Sequence, residues 1–201
     1  MCIRDRIHQG TFKGEKLQFN DCIAAPDGSF LAGTFYPTNV LGYEKTGKLY
    51  RFYPNGNVDI VSENHGCSNG MGFSPNLDYF YHSDPAKGKI VRHSYNNDTH
   101  EIGNAEEWYE HKDQGGPDGM TVDSEGYVWS AIWGGSGVIR IDPKGNVVEK
   151  INIKIGDKVS EGDLILTVSE ESKTEKKEKI KWFDRKTEKI TKKTATSNFK
   201  I

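Results

Sequence analysis

The sequence predicts an all-β protein built of four-stranded antiparallel units that stack face to face around an axis, in the manner of β-propeller blades. Three observations carry that expectation: turn signals at short, regular intervals, apolar alternation between them, and a repeat of 49 residues that brings both back in phase.

The turn signals are Ala25-Pro26-Asp27-Gly28, Tyr53-Pro54-Asn55-Gly56, Ser74-Pro75-Asn76-Leu77, Tyr95-Asn96-Asn97-Asp98, Asp123-Ser124-Glu125-Gly126 and Asp142-Pro143-Lys144-Gly145. Proline presets one backbone angle of a turn, Asn and Asp bond back to nearby amides, and Gly supplies the left-handed conformation. Between them run short strand-like segments such as Leu49-Tyr50-Arg51-Phe52 and Val138-Ile139-Arg140-Ile141, and helical periodicity is nearly absent. Ala25, Ser74 and Asp123 open equivalent turns 49 residues apart, and a second hairpin follows in each unit, at 48–60, 89–102 and 137–149. Each period therefore holds four strands. Such a unit cannot bury both faces alone and must stack on its neighbours.

The same repeat aligns Asn20, Asn69 and Asp118, each just ahead of the first strand of its unit. In a propeller the first strand of every blade lines the central channel, so equivalent positions converge on one axis. Divalent cations such as calcium take several oxygen ligands, and two amides and a carboxylate supply oxygens of the right kind. Asn or Asp before Gly is also ordinary turn chemistry, and the shared phase is what favours a site. Gly70 and Gly119 would let the backbone bend close to the channel. Tyr36, Trp129 and Trp133 are read as core or rim packing, and the histidines, which show no ligand spacing, as isolated residues.

Outside the repeat the composition changes. Residues 170–201 hold eleven Lys or Arg against six Asp or Glu, so the remainder of the chain is acidic although the net charge is only −2. An acidic body excludes a nucleic-acid surface on the propeller, and the tail reads as solvated, disordered or helical. No apolar run is long enough for a membrane span, and the first ten residues lack the apolar centre of a signal peptide, which leaves a cytoplasmic location as the default. Cys2, Cys22 and Cys67 form no CxxC and suggest neither a disulfide framework nor a thiolate zinc site.

The strings Phe19-Asn20-Asp21, Ala32-Gly33-Thr34, Gly47-Lys48-Leu49-Tyr50, Ser68-Asn69-Gly70-Met71-Gly72-Phe73-Ser74, Pro117-Asp118-Gly119-Met120 and Val138-Ile139-Arg140-Ile141-Asp142-Pro143 follow one another in the order and spacing of the gluconolactonase and regucalcin (senescence-marker protein) family, which this chain resembles. The resemblance implies a six-bladed propeller, of which about three blades are present, and a metal-dependent lactone hydrolase that opens a sugar or related lactone to its hydroxy acid. It implies one divalent cation, calcium first, with zinc, magnesium or manganese as alternatives. It marks Asn69 and Asp118 as metal ligands, Asp118 also as the acid or base, and Asn20 as substrate-binding. Gln18 and Thr38 stand where sugar-lactone members carry Arg and Glu against the substrate, which points to a different lactone. The family's remaining metal ligand is a Glu from a blade nearer the N-terminus that this chain does not hold. The runner-up function is a non-catalytic calcium- or ligand-binding propeller.

Residues 151–169 resemble the end of a lipoyl or biotinyl carrier domain, without its carrier lysine, so neither lipoyl nor biotin is expected. The expected organisation is a leader at 1–14, propeller blades at 15–150, a hairpin fragment at 151–169 and a charged tail at 170–201. Three blades leave edges exposed, and self-association through them is expected.

Overall fold

The computed structural model describes residues 10–36 and 46–152. Thr38, the fragment beyond Asn152, the charged tail and the first nine residues lie outside the described residues.

Three four-stranded antiparallel sheets follow one another along the chain. Sheet 1 is preceded by a small hairpin, β1 (Thr11–Phe12) and β2 (Glu15–Lys16), and comprises β3 (Phe19–Ala24), β4 (Phe30–Thr34), β5 (Gly47–Phe52) and β6 (Val58–His65). Sheet 2 comprises β7 (Asn69–Phe73), β8 (Tyr79–Asp84), β9 (Lys89–Tyr95) and β10 (Ile102–Glu110). Sheet 3 comprises β11 (Gly116–Val122), β12 (Val128–Trp133), β13 (Gly137–Ile141) and β14 (Val147–Asn152). In each sheet the strands pair in chain order, as an up-and-down meander, and the first strands β3, β7 and β11 lie side by side. This is the predicted stretch of propeller, three blades long.

The turn signals do what their chemistry demands. Gly28 donates its N–H to Ala25 O at 3.0 Å, Leu77 to Ser74 O at 2.9 Å and Gly126 to Asp123 O at 3.0 Å, three equivalent turns. The middle one differs twice. Its closing bond runs from Ser74 N to Tyr79 O, one residue further than Ala25 N to Ser29 O or Asp123 N to Tyr127 O, and Leu77 adopts a φ of +58° where its counterparts are glycines at +81° and +84°. The extra residue shifts the phase of the second strand, so Leu31, Tyr81 and Trp129 are true equivalents although they lie 50 and 48 residues apart.

Alternation along the strands then divides each sheet into a face for the preceding unit and a face for the next. Leu31 and Leu49 of sheet 1 meet Met71 and Phe80 of sheet 2, and Tyr81 and Ile90 of sheet 2 meet Val128, Ile139 and Ile141 of sheet 3. Full burial of one such side chain contributes about 2 kcal/mol. On the other face of sheet 1, Leu17, Tyr50 and Phe52 pack with Phe12, whose ring meets Tyr50 edge-on at 5.7 Å. Residues 11–16 form a hairpin that covers this face of sheet 1. At the other end, Ile151 pairs with Val138 and Asn152 with Gly137, completing β14.

Arginines Arg51, Arg92 and Arg140 occupy one equivalent position, opposite Leu31, Tyr81 and Trp129. Each stacks over a tyrosine of its own sheet, at 5.0 Å on Tyr53, 4.3 Å on Tyr79 and 3.9 Å on Tyr127. Arg51 also donates to His100 O of sheet 2 at 2.5 Å, and Arg92 to Pro143 O of sheet 3 at 3.5 Å. Arg51 and Arg92 thus both reach the last hairpin turn of the sheet that follows.

Candidate functional site

All three first strands break their ladders at the same place. β3 pairs with β4 at Phe19↔Thr34 and resumes at Cys22↔Ala32, β7 pairs with β8 at Asn69↔Ser83 and resumes at Met71↔His82, and β11 pairs with β12 at Pro117↔Ile132 and resumes at Met120↔Ser130. Each break inserts one extra residue on the inner strand, which is a β-bulge, and a bulge re-aims side chains out of the strict alternation. The residues involved are Asn20-Asp21, Asn69-Gly70 and Asp118-Gly119. The candidate residues therefore sit on irregularities that recur in every sheet.

The structure brings Asn69 and Asp118 into contact: the Asn69 amide Nδ2 donates to Asp118 Oδ1 across the gap between sheets 2 and 3. Gly70 N donates to Asn69 Oδ1 at 3.0 Å, which leaves that oxygen a second lone pair. Ser83 Oγ donates to the Asp118 carbonyl at 2.8 Å and ties β8 to β11. A Cβ on Gly70 would lie 2.1 Å from that carbonyl oxygen, so only glycine admits this approach of β7 to β11. Gly119 has no such duty, because a Cβ there would meet nothing within 4 Å.

Asn20 is held from the segment between β6 and β7. Its Nδ2 donates to Ser68 O at 3.0 Å and to Cys67 Sγ at 3.6 Å, the longer reach being normal for sulfur. Gln18 is exposed, and its backbone carbonyl accepts from Phe35 N at 3.0 Å.

Burial raises the pKa of the Asp118 carboxyl; the Asn69 amide lowers it, the negative charge of Asp21 raises it, the Gly119 N–H lowers it, and the net shift is upward. Two carboxylates thus share one field at the inner end of the sheets. Burial, with Asp84 and Asp118 nearby, pushes the Cys67 thiol up to about 11, so it is protonated at neutral pH and is no nucleophile. Among the described residues no three His, Cys, Asp or Glu side chains form a metal-binding cluster. Asp118 Oδ1 meets the Asn69 amide nitrogen, and the Asn69 oxygen accepts from Gly70 N, so the side chains that converge are a carboxylate and an amide, with the Asp21 charge acting on Asp118. Their chemistry fits a hard divalent cation, which would relieve the repulsion between the two carboxylates.

Asp21 and Cys67 escaped the reading of the sequence. Asp21 carried a signal, since it stands where the other two repeats have Gly70 and Gly119. Cys67 carried none, because its contact joins a connecting segment to a neighbouring strand. The histidines also differ from expectation: His65 and His82 meet ring to ring at 4.5 Å, and the rings of His82 and His93 lie 6.5 and 5.7 Å from that of Phe80. Trp133 is 65% exposed, while Trp129 donates to Asp123 Oδ2 at 2.9 Å and Tyr36 is buried. Two grooves of about 250 and 600 Å³ open between the outer parts of adjacent sheets and include none of Asn20, Asn69 and Asp118. The inner strands, not these grooves, carry the candidate chemistry.

Residues 6–161 match the family model described as SMP-30/gluconolactonase/LRE-like region. The chain is 33% identical over 150 residues to pentonolactonase XacC of Haloferax volcanii, covering 74% of this chain and 50% of that protein. It is 32% identical over 142 residues to regucalcin of Xenopus laevis, covering 69% and 48%. Among solved structures, a calcium-binding protein, regucalcin, from Agrobacterium tumefaciens superposes with a TM-score of 0.61 at 27% identity, over 67% of this chain and 45% of that one. The chain spans about half the length of the relatives it matches. On the extent of that match, and on three sheets with candidate residues in phase, the chain belongs to the SMP-30/gluconolactonase/LRE-like family.

Proposed function

We propose that the inner ends of the three sheets form part of a lactone-hydrolase site that opens a sugar lactone to its hydroxy acid. The observation that carries this reading is the in-phase placement of Asn20, Asn69 and Asp118 on three bulges, with Asn69 bonded to Asp118. The names of the relatives, a pentonolactonase among them, support the lactone as substrate class.

Asn69 and Asp118 would hold a divalent cation, calcium first, with zinc, magnesium or manganese as alternatives. When bound, such an ion polarises the lactone carbonyl and acidifies water. The chain's own part is orientation and proton transfer. Asn20 and Gln18, with Thr38, would position the lactone's polar groups. Asp118 would accept the proton of the attacking water as its oxygen bonds to the carbonyl carbon. It would return that proton to the ring oxygen as the ring C–O bond breaks, so that lactone and water yield one hydroxy acid.

The test is hydrolysis of glucono-δ-lactone and xylonolactone, followed by pH-stat, with EDTA and with calcium restored. Turnover that EDTA abolishes and calcium restores supports the proposal; rates equal to the spontaneous reaction, or unaffected by EDTA, defeat it. The same oxygens can hold an ion without moving a proton, and calcium binding without turnover would establish the second reading, a non-catalytic calcium-binding propeller.

A further inference from the structure

An amide side chain presents an oxygen or an N–H₂ to its surroundings according to how it is turned, and the two faces are opposites toward a cation or a substrate hydroxyl. What fixes the turn at Asn20 is therefore a question of function. The residue lies on a bulge in β3, in an exposed setting where the strand ladder does not constrain it. Both protons of its amide nevertheless have acceptors. One is the Ser68 carbonyl at 3.0 Å and the other is Cys67 Sγ at 3.6 Å. Sulfur is a weak acceptor but a directional one, and Cys67 is 8% exposed, so water does not readily compete for it.

We infer that Cys67 is a positioning residue of the proposed lactone site: together with the Ser68 carbonyl it takes both amide protons of Asn20, so that Asn20 offers the channel a fixed hydrogen-bond acceptor. The inference rests on the proposed function only for what that acceptor meets; the clamp itself is independent of it.

The alternative role for a buried cysteine is that of a small apolar filler, and the two roles respond oppositely to serine. A hydroxyl restores an acceptor for Asn20 but is a poorer filler than methyl in an apolar pocket. The experiment uses the full chain, ¹⁵N-labelled, as parent, Cys67→Ala and Cys67→Ser. It measures the side-chain amide signal of Asn20 and its exchange with water, and then the affinity for D-gluconate, the acid product of glucono-δ-lactone, in the presence of calcium. In Cys67→Ala the Asn20 amide shifts, its exchange accelerates several-fold, and gluconate binding weakens roughly fivefold, the worth of one ordinary hydrogen bond. Cys67→Ser returns both to within about twofold of the parent, on the same reasoning.

An Asn20 amide unchanged in Cys67→Ala overturns the inference. So does a loss of affinity that serine does not restore, which would mark Cys67 as filler. A parent that binds no gluconate while its Asn20 amide responds as described would defeat the lactone reading and leave the clamp standing.

Discussion

The close approach of β7 to β11 is the contact on which the candidate site depends, and Gly70→Ala probes it. The added Cβ would lie 2.1 Å from the Asp118 carbonyl oxygen, 2.8 Å from Ser83 Oγ and 2.9 Å from Met120 N. Two of these are backbone atoms of the next sheet, so no side-chain rotation relieves the clash, and β11 must move outward. Overpacking of this kind costs about 1–3 kcal/mol, and the bond from Ser83 Oγ to Asp118 O that is broken adds about 1 kcal/mol. Alanine recovers about 0.5 kcal/mol by restricting the unfolded chain. The net loss is about 1.5–3.5 kcal/mol. With a urea dependence of about 2 kcal/mol per molar, the unfolding midpoint falls by roughly 0.8–1.8 M. Gly119→Ala is the matched control, one bulge further on but with open space around its Cβ, and its expected change is within about 0.5 kcal/mol. Urea unfolding followed by tryptophan fluorescence measures both. Equal midpoints for Gly70→Ala and the parent, or an equal loss in Gly119→Ala, would refute the argument that this approach requires glycine.

Asp118→Asn keeps the size of the side chain but cannot carry a proton, so lactone hydrolysis falls by roughly 100-fold or more while the urea midpoint stays near the parent's; pH-stat rates at parental level would remove Asp118 from the proton transfer. Arg51 is 4% exposed and bonds to Ser29 Oγ and Asp27 Oδ2, both at 2.8 Å, as well as to sheet 2, so Arg51→Met strands these partners and costs about 3–5 kcal/mol by urea unfolding. Burial works against ionisation of Asp27, yet bonds from Ser29 and the Arg51 charge outweigh it and lower its pKa below 3.8. Its stabilising contribution is therefore complete above about pH 4 and is lost as pH falls through the lowered value, a loss that Asp27→Asn should remove from the acid limb of the stability profile. Burial lowers His65 to about 4 against a favourable Asp84, and lowers His82 and His93 as well. Their unfolded forms gain protons below about pH 6.5 that the folded forms refuse, so stability is level above that pH and declines toward pH 4. His65→Gln should take roughly 3 kcal/mol out of that decline, and an unchanged acid slope would show that His65 does not titrate on unfolding.

The repeat made the architecture legible because a blade is a local object. Turns such as Ala25–Gly28 and Asp123–Gly126 are written in four adjacent residues, and the meander between them needs no distant information. It also placed Asn20, Asn69 and Asp118 in common phase. What it could not supply was anything created by irregularity or by contact between units. The additional residue in the turn after Ser74 shifts β8 by one, so a strict 49-residue overlay pairs Trp129 with Phe80, which faces backward, and not with Tyr81, which faces forward. His65 of β6 meets His82 of β8 only because sheets 1 and 2 stack, which no linear spacing announces. Cys67 looked inert for the same reason, its partner lying 47 residues away on another sheet.

The arginines at 51, 92 and 140 give the stack a sense of direction. Arg51 and Arg92 each extend from their own sheet to a carbonyl in the last turn of the next, never to the one before. Neighbours are thus joined head to tail, by two unlike surfaces, and a heterologous contact of that kind propagates until rotation brings it round to its origin. Each unit carries the plug for its successor and the socket for its predecessor. Blade number is then a matter of how many units the gene strings together and what angle each subtends, while the rule for adding one more stays the same at every joint. Arg140, turned in sheet 3 toward Asp123 and Glu125 and stacked on Tyr127, displays the plug in the form it takes within its own sheet.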